Sequence, residues 1–427
     1  MKGSAAPESP IEHGAGRIAQ GHALLVPLSE VCVPRTGVRN PAERPDEPFK
    51  YVDISAVDNR EKRITVPQTL LGRAAPSRAR KVIRAGDVLV ATTRPNLNAV
   101  ALVPADLDDE ICSTGFCVLR AGPHIHADYL FQFVRSGAFV QPLSDLVKGA
   151  LYPVVNDSQV LALSVPLPPL AEQERIAARL ANELEIVERA RAAAAQRLAA
   201  AEALPAATLR EVFGDPPPFA ASPLPPSEPI RAGWEWHRLT SLARLATGHT
   251  PSRRCSEYWN GDIPWIQLPD IRALDGRVAM DTAEHTNALG IENSAAVRLP
   301  AGTVCLSRTA SVGFVTIMGR EMATSQDFVN WVCGPDLDPS FLMHLFIACR
   351  KPIRDLGSGA THHTIYFPTV KQFAVCVPDL HSQRRLASDI TQKLAAAEAL
   401  TARCRQELAE IEALPAALLR AAFNGAS

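Results

Sequence analysis

The chain has 427 residues, with 44 Lys and Arg against 45 Asp and Glu, 47% hydrophobic residues and only 6% aromatics. That length supports two to four compact units, each with its own core, and the abundance of alanine suits long helices better than a sandwich. A formal net charge of −1 excludes a globally basic nucleic-acid binder, so any DNA-facing surface has to be local.

Nine cysteines, odd in number and without a Cys-x-x-Cys, exclude a disulfide framework or a zinc knuckle and read as small buried apolar residues in a reducing compartment. No apolar run approaches 18 residues, and Met1 to Gln20 lacks an apolar segment of signal-peptide length. The expectation is a soluble, cytoplasmic protein.

In chain order, residues 1–22, with Gly3-Ser-Ala-Ala-Pro, read as a disordered tail. Residues 23–168 alternate short Val/Ile/Leu-rich runs, such as Lys81-Val-Ile-Arg-Ala-Gly-Asp-Val-Leu-Val, with Pro, Gly, Asn and Asp, which predicts a strand-rich α+β domain. Within it, nine Lys or Arg between Arg60 and Arg94 face only Glu61 and Asp87, a run that is either a solvated face or a phosphate-tracking one. A helix is expected near Asp128 to Val140.

The pattern then changes over residues 169–214. Apolar or small residues at 177, 180, 184, 187, 194, 198 and 201 follow a 3.5-residue period, interrupted at Arg191, which is the coiled-coil signature. Thirty-four helical residues, Ala171 to Leu204, would span roughly 50 Å at 1.5 Å per residue. Pro205 is expected to kink or restart the helix. Residues 215–231 form a proline-rich extended linker with seven prolines between Asp215 and Ile230. Residues 232–377 predict a second strand-rich domain, and 378–424 a second long helix with Pro415 where the first has Pro205.

The two helical segments are copies. Val165 to Phe213 aligns without a gap on Val375 to Phe423 with 21 identities in 49 positions, including Glu202-Ala-Leu-Pro-Ala-Ala against Glu412-Ala-Leu-Pro-Ala-Ala. A duplicated unit alternating with two dissimilar ones predicts a pseudo-twofold plan. Each apolar seam is small and alanine-rich, so the copies are expected to pack on each other.

Several chemistries are excluded by what the sequence lacks. Asp215-Pro-Pro-Pro-Phe resembles an amino-methyltransferase loop, yet it lies in a linker after a helix, with no Gly-x-Gly turn following a strand. None of the eight lysines has an acidic residue two positions before it, which removes a nuclease centre built around Asp270, and no P-loop is present. His362-His363 lacks an acidic or Cys partner for a metal. What remains is a series of polar, loop-like clusters: Gly248-His-Thr-Pro-Ser252, Tyr258 to Trp265, Leu306-Ser-Arg-Thr-Ala310, Thr324-Ser-Gln-Asp-Phe328 and Gly357 to His363. They supply Ser, Thr, Arg, Gln and His donors suited to phosphates and base edges, with Tyr258, Trp259 and Trp265 expected in core packing.

At these residues the chain resembles the specificity (S) subunit of type I restriction-modification systems. Carrying the resemblance are Pro166-Leu-Pro-Pro-Leu-Ala-Glu-Gln-Glu-Arg-Ile176, its eroded copy Val377-Pro-Asp-Leu-His-Ser-Gln-Arg-Arg-Leu386, the Gly-x-Thr-Pro-Ser entrance at Gly248, and, in the first domain, Arg84 to Val90, Ser113 to Arg120 and Gly149 to Pro153. The resemblance implies two target-recognition domains separated by two long antiparallel spacer helices forming a coiled coil. Each domain would read half of a bipartite double-stranded DNA site. It also implies two methyltransferase (modification) subunits on the spacer helices, restriction/translocase subunits in the full complex, no membrane, and no cofactor in this chain, with S-adenosylmethionine, ATP and Mg on the partner subunits. No catalytic or metal-binding residue is expected here.

The DNA-facing positions it implies are Thr92, Thr93, Arg94, Ser113, Thr114, Lys148 and Tyr152 in the first domain, and Ser307, Arg308, Gln326, Asp327, Thr361, His362 and His363 in the second. Arg94 and Arg308 stand out, since a guanidinium can bond guanine bidentately or clamp a phosphate. The rival reading is a structural coiled-coil scaffold that binds protein partners.

Overall fold

The computed structural model describes residues 24–149, 151–358 and 363–423. They fall into two compact units, 24–194 with 407–423 and 195–406. Each unit therefore holds one strand-rich globule and parts of both long helices.

In the first unit, Val88–Ala91 is flanked by Phe116–Leu119 and Val100–Leu102 in an antiparallel sheet. The all-apolar run Val88-Leu-Val-Ala is buried on both faces because strand side chains alternate. Val88 and Val90 pack into a core with Leu119, Tyr129 and Phe133, while Leu89 and Ala91 pack into another with Phe116, Ala101 and Leu107. A four-stranded sheet runs in the order Gln68–Leu71, Pro48–Val52, Glu110–Ser113, Ala79–Ile83. Where one helix was expected near Asp128 to Val140, two occur, Ala127–Val134 and Gly137–Leu146. The break falls at Ser136, whose hydroxyl donates to the Phe133 carbonyl at 2.7 Å and whose backbone is extended.

The second unit repeats the arrangement. Val304–Ser307 lies between Phe328–Cys333 and Val315–Met318 in a five-stranded sheet, with Val304 and Leu306 facing one core and Cys305 another. Part of the proline-rich segment is ordered: Phe219–Ala221 pairs antiparallel with Phe373–Val377. It is an edge strand of a three-stranded sheet, the place where prolines nearby cost least.

Each long helix has 44 residues, Leu170–Phe213 and Leu380–Phe423, and each continues through its proline. The expected restart at Pro205 and Pro415 is absent. A proline forfeits one backbone donor, and the packing of the turns beyond it outweighs that loss. In the first unit Leu419 and Phe423 join the core that holds Ala177, Leu180 and Leu184. In the second, Leu209, Val212 and Phe213 join the core that holds Ala387 and Ile390.

Most of the heptad positions are buried, with Leu198, Leu394 and Leu408 half-buried. Ala177, Leu180, Leu184, Val187, Ala194 and Ala201 are buried in the first helix, and Ala387, Ile390, Ala397 and Cys404 in the second. Within the second unit the pairs Glu211–Lys393 and Glu202–Arg405 fix an antiparallel register between the helix segments.

The terminal Leu-Arg-x-x-Phe explains itself in packing terms. Phe423 lies 5.4 Å from the Tyr129 ring and 5.6 Å from that of Phe133, and Phe213 lies 5.4 Å from Phe341. Each globule is thus closed by the end of the helix that does not follow it directly in the chain.

Candidate nucleic-acid interface

The predicted loops converge, and they do so in the same way twice. In the first unit the strand ending at Ala91 runs into Thr92-Thr-Arg94, where Thr92 N donates to the Gly115 carbonyl, Val155 N to the Thr92 carbonyl and Arg94 N to the Pro153 carbonyl, at 2.9, 2.9 and 2.7 Å. In the second, Arg308 N donates to the Asp327 carbonyl, Ile365 N to the Arg308 carbonyl and Ala310 N to the His363 carbonyl, at 2.8, 2.9 and 3.0 Å. The isolated bridges Thr93–Val154 and Thr309–Thr364 correspond, and Arg94 and Ala310 share a left-handed backbone with φ of 49° and 57°. Three loops from separate strands are therefore sewn together in each globule by backbone hydrogen bonds. By this correspondence Arg308 matches Thr92, and Arg94 matches Ala310.

Several candidate side chains prove to be braces. Ser113 and Ser307 are wholly buried and Thr92 nearly so. The Thr92 hydroxyl donates to the Gly115 carbonyl at 2.9 Å, Ser113 Oγ accepts from Gly115 N, and Ser307 Oγ is engaged with Ser311 and Phe314. These three cannot reach a ligand as the chain stands. Arg308 is tied inward as well: its guanidinium donates to the Gln326 carbonyl at 2.9 Å and the Ile365 carbonyl at 3.3 Å and stacks 4.8 Å from the Phe367 ring. Desolvation holds its pKa below the usual arginine range. Arg308 is the clasp of the three loops.

Other candidates face outward. Arg94 and Thr114 are exposed, and Arg94 has no side-chain hydrogen bond or ion pair among the described residues. Lys148 is exposed, and Tyr152 is 82% exposed beside Leu151. Thr93 is half-buried. Gln326 is exposed and accepts from the Thr250 hydroxyl at 2.6 Å, while Asp327 accepts from Ser325 Oγ at 3.0 Å. His363 is exposed with Nε2 2.8 Å from the Arg354 carbonyl. Thr361 and His362 lie outside the described residues.

The Arg94 turn carries charge that sequence alone did not single out. Arg94 and Asn98 bracket a short 3-10 turn, Pro95–Leu97, both in left-handed conformation. The Asn98 carbonyl accepts from Lys62 Nζ at 2.5 Å, and its side-chain amide donates to the Arg135 carbonyl at 3.4 Å. Burial, helped by the nearby Arg135 charge, pushes the Lys62 ammonium down to about 8, and burial pushes the Arg135 guanidinium down to about 10. Much of the surrounding basic run is neutralised locally. Arg73 pairs with Asp46, Lys81 with Asp157, Arg84 with Asp109 and Arg60 with Glu412, carboxylates distant in sequence and invisible to a window count.

The duplicated Gln of the spacer motif has a structural role. Gln173 accepts from His126 N at 2.8 Å and donates to the carbonyls of His124 and Pro168 at 3.0 and 2.8 Å. Gln383 accepts from Asp338 N at 2.9 Å and donates to the carbonyls of Asp336 and Pro378 at 3.0 and 2.9 Å. Each buried amide latches the start of a long helix onto the turn that opens a helix of its own globule. Gly248 of the Gly-x-Thr-Pro-Ser entrance is also steric: a Cβ there would sit 2.1 Å from the Ser325 carbonyl. Trp265 is buried with Ile263 and Ala323, as core packing predicts.

No group of three or more His, Cys, Asp or Glu among the described residues is placed to hold a metal ion, and no helix among them is long and apolar enough to cross a membrane. All nine cysteines are free, and burial raises the thiols of Cys32, Cys112 and Cys117 to about 12.

Known proteins resemble this chain over most of its length. Residues 26–192 and 231–412 match the family model described as type I restriction modification DNA specificity domain. The HindI specificity subunit, from a type I restriction enzyme of Haemophilus influenzae, is 22% identical over 350 residues, 67% of this chain and 75% of its own. Among solved structures, the HsdS subunit from Thermoanaerobacter tengcongensis superposes with a TM-score of 0.68 at 30% identity, covering 97% of this chain and 99% of that one. A chain from a structural study of complex assembly in the type I R-M system gives 0.74 at 31% identity, covering 96% and 100%. With most of its length matched, this chain belongs to the type I restriction-modification DNA specificity family.

Proposed function

We propose that the chain reads a bipartite duplex site, one half with each set of sewn loops, and carries modification subunits to it. As a specificity subunit it is the non-catalytic, DNA-recognition component of its system. The observation that carries the bipartite reading is the second occurrence of the same three-loop junction, with different side chains at most matched positions, Thr92 against Arg308 and Arg94 against Ala310 among them. A duplicated frame bearing unlike side chains suits two unlike half-sites.

In this reading residues 23–168 and 232–377 are target-recognition domains, 169–214 and 378–424 are spacers, and 215–231 links them. Arg94, Thr114, Lys148, Tyr152, Gln326, Asp327 and His363, with Thr361 and His362, face DNA. Two methyltransferase subunits dock on the spacers, where Ile186, Leu204, Leu400 and Leu414 are exposed, and restriction/translocase subunits complete the assembly. S-adenosylmethionine, ATP and Mg belong to those subunits, in the cytoplasm. Family membership disfavours the rival protein-binding scaffold.

Competition between a duplex bearing the site and a scrambled duplex tests this. Specific retention that weakens steeply with salt is expected. Equal competition by both duplexes would refute it.

A further inference from the structure

Next to the loop junction of the second unit lies an open cleft of about 380 Å3 lined by Arg272, Ala310, Ser311, Val312, Phe314, Arg354 and His363. Three of these seven side chains are basic and none is acidic. Among the described residues neither Arg272 nor Arg354 is paired with a carboxylate. Of the two carboxylates nearest Arg272 in sequence, Asp270 accepts from Gln267 N and Ala283 N at 3.1 and 3.2 Å, and Asp275 is committed to Arg350 through two hydrogen bonds of 2.8 and 2.7 Å. Unpaired like charges gathered in one concavity repel each other, and an anion there relieves that cost.

The guanidiniums are held in place by single anchors that leave other donors open. Arg354 Nε donates to the Val312 carbonyl at 3.0 Å, and its Cζ lies 5.5 Å from the centre of the Phe314 ring, which leaves its two terminal nitrogens without a partner among the described residues. Arg272 donates from one terminal nitrogen to Ser311 Oγ at 3.1 Å. His363 Nε2 meets the Arg354 carbonyl at 2.8 Å, joining the same turn to the junction. The first unit offers a parallel: its residue matching Ala310 is Arg94, also a cation without a partner among the described residues.

We propose that this cleft seats one backbone phosphate of the bound duplex, with Arg272 and Arg354 as its donors, positioning the second unit's reading loops against the bases. The proposal rests on the DNA-recognition reading above and adds a class of interaction that carries no sequence information. A phosphate fits better than a base edge because the donors point into a concavity from two separate segments.

The test measures affinity for site-bearing and scrambled duplexes across salt, using the full chain and the variants Arg272→Ala, Arg354→Ala and Arg272→Lys. The proposal predicts equal proportional loss on both duplexes for the alanine variants. It also predicts a log–log salt slope shallower in each alanine variant, by up to about 0.9 since a single phosphate is involved, with the slope largely restored by lysine, a point charge able to clamp a phosphate. Unaltered slopes, or a loss confined to the site-bearing duplex that lysine does not rescue, would overturn the phosphate seat while leaving the recognition reading intact. A wild-type chain that binds neither duplex would overturn both. Circular dichroism of each variant excludes misfolding as the cause.

Discussion

Replacing Gln173 with leucine removes a latch without changing side-chain bulk greatly, and its cost can be worked out from three hydrogen bonds. The substitution leaves His126 N without its acceptor and the carbonyls of His124 and Pro168 without their donor. A buried polar group without a partner costs about 1–3 kcal/mol, so three give roughly 3–9 kcal/mol, less whatever water recovers at the helix start. That is a large share of the roughly 5–15 kcal/mol typical of a domain.

Urea unfolding read by two probes localises the effect. All five tryptophans (Trp234, Trp236, Trp259, Trp265 and Trp331) lie in the second unit, so fluorescence reports that unit while far-ultraviolet dichroism reports both. Gln173→Leu is expected to move the dichroism transition more than the fluorescence one, and Gln383→Leu to move fluorescence strongly. Gln173→Glu adds a sign: its carboxylate would face two carbonyl oxygens, so it should be at least as damaging at neutral pH and recover on acidification, when the protonated acid can donate again. A loss below about 1 kcal/mol for Gln173→Leu would refute the latch.

Phe423→Ala, which empties a site between Tyr129 and Phe133, should cost about 3–5 kcal/mol by the same urea assay, with Phe213→Ala its counterpart for the second unit. His344 is buried, with Nε2 2.9 Å from Thr391 Oγ1, and burial lowers its pKa from 6.5 to about 4. Its folded pKa lies below the unfolded one, so stability is complete above pH 6.5 and falls as pH drops toward 4, by up to about 3 kcal/mol; His344→Gln should flatten that part of the stability–pH curve. Arg94→Ala should leave the melting temperature nearly unchanged and weaken DNA binding by about 1–3 kcal/mol in a fluorescence-anisotropy titration, whereas Arg308→Ala should lower the melting temperature as well.

The helices were legible because a period of 3.5 and a gapless repeat are local properties: the positions at 177, 180, 184 and 201 are the buried ones. Their length was underestimated because Pro205 and Pro415 act locally, while the aromatic anchors Phe213 and Phe423 that hold the last turns act through partners far away in sequence. The loops were legible as loops, and their convergence followed from family likeness. Which side chains are free was not legible. Arg94 and Arg308 look alike in sequence, yet one protrudes and the other is consumed by the Gln326 and Ile365 carbonyls. How far the basic run between Arg60 and Arg94 is compensated was not legible either, since Asp46, Asp109 and Asp157 pair with Arg73, Arg84 and Lys81 from outside the window. The cations near Asn98 come from segments 73 residues apart, Lys62 and Arg135, which no motif connects.

Methylated-base mapping in cells that express this chain with modification subunits tests the two-reader account most directly, comparing the native chain with one whose residues 232–377 come from a relative of different specificity. The account predicts a split motif with a fixed gap, of which one half alone changes in the chimera. A continuous motif, or a change in both halves, would contradict it.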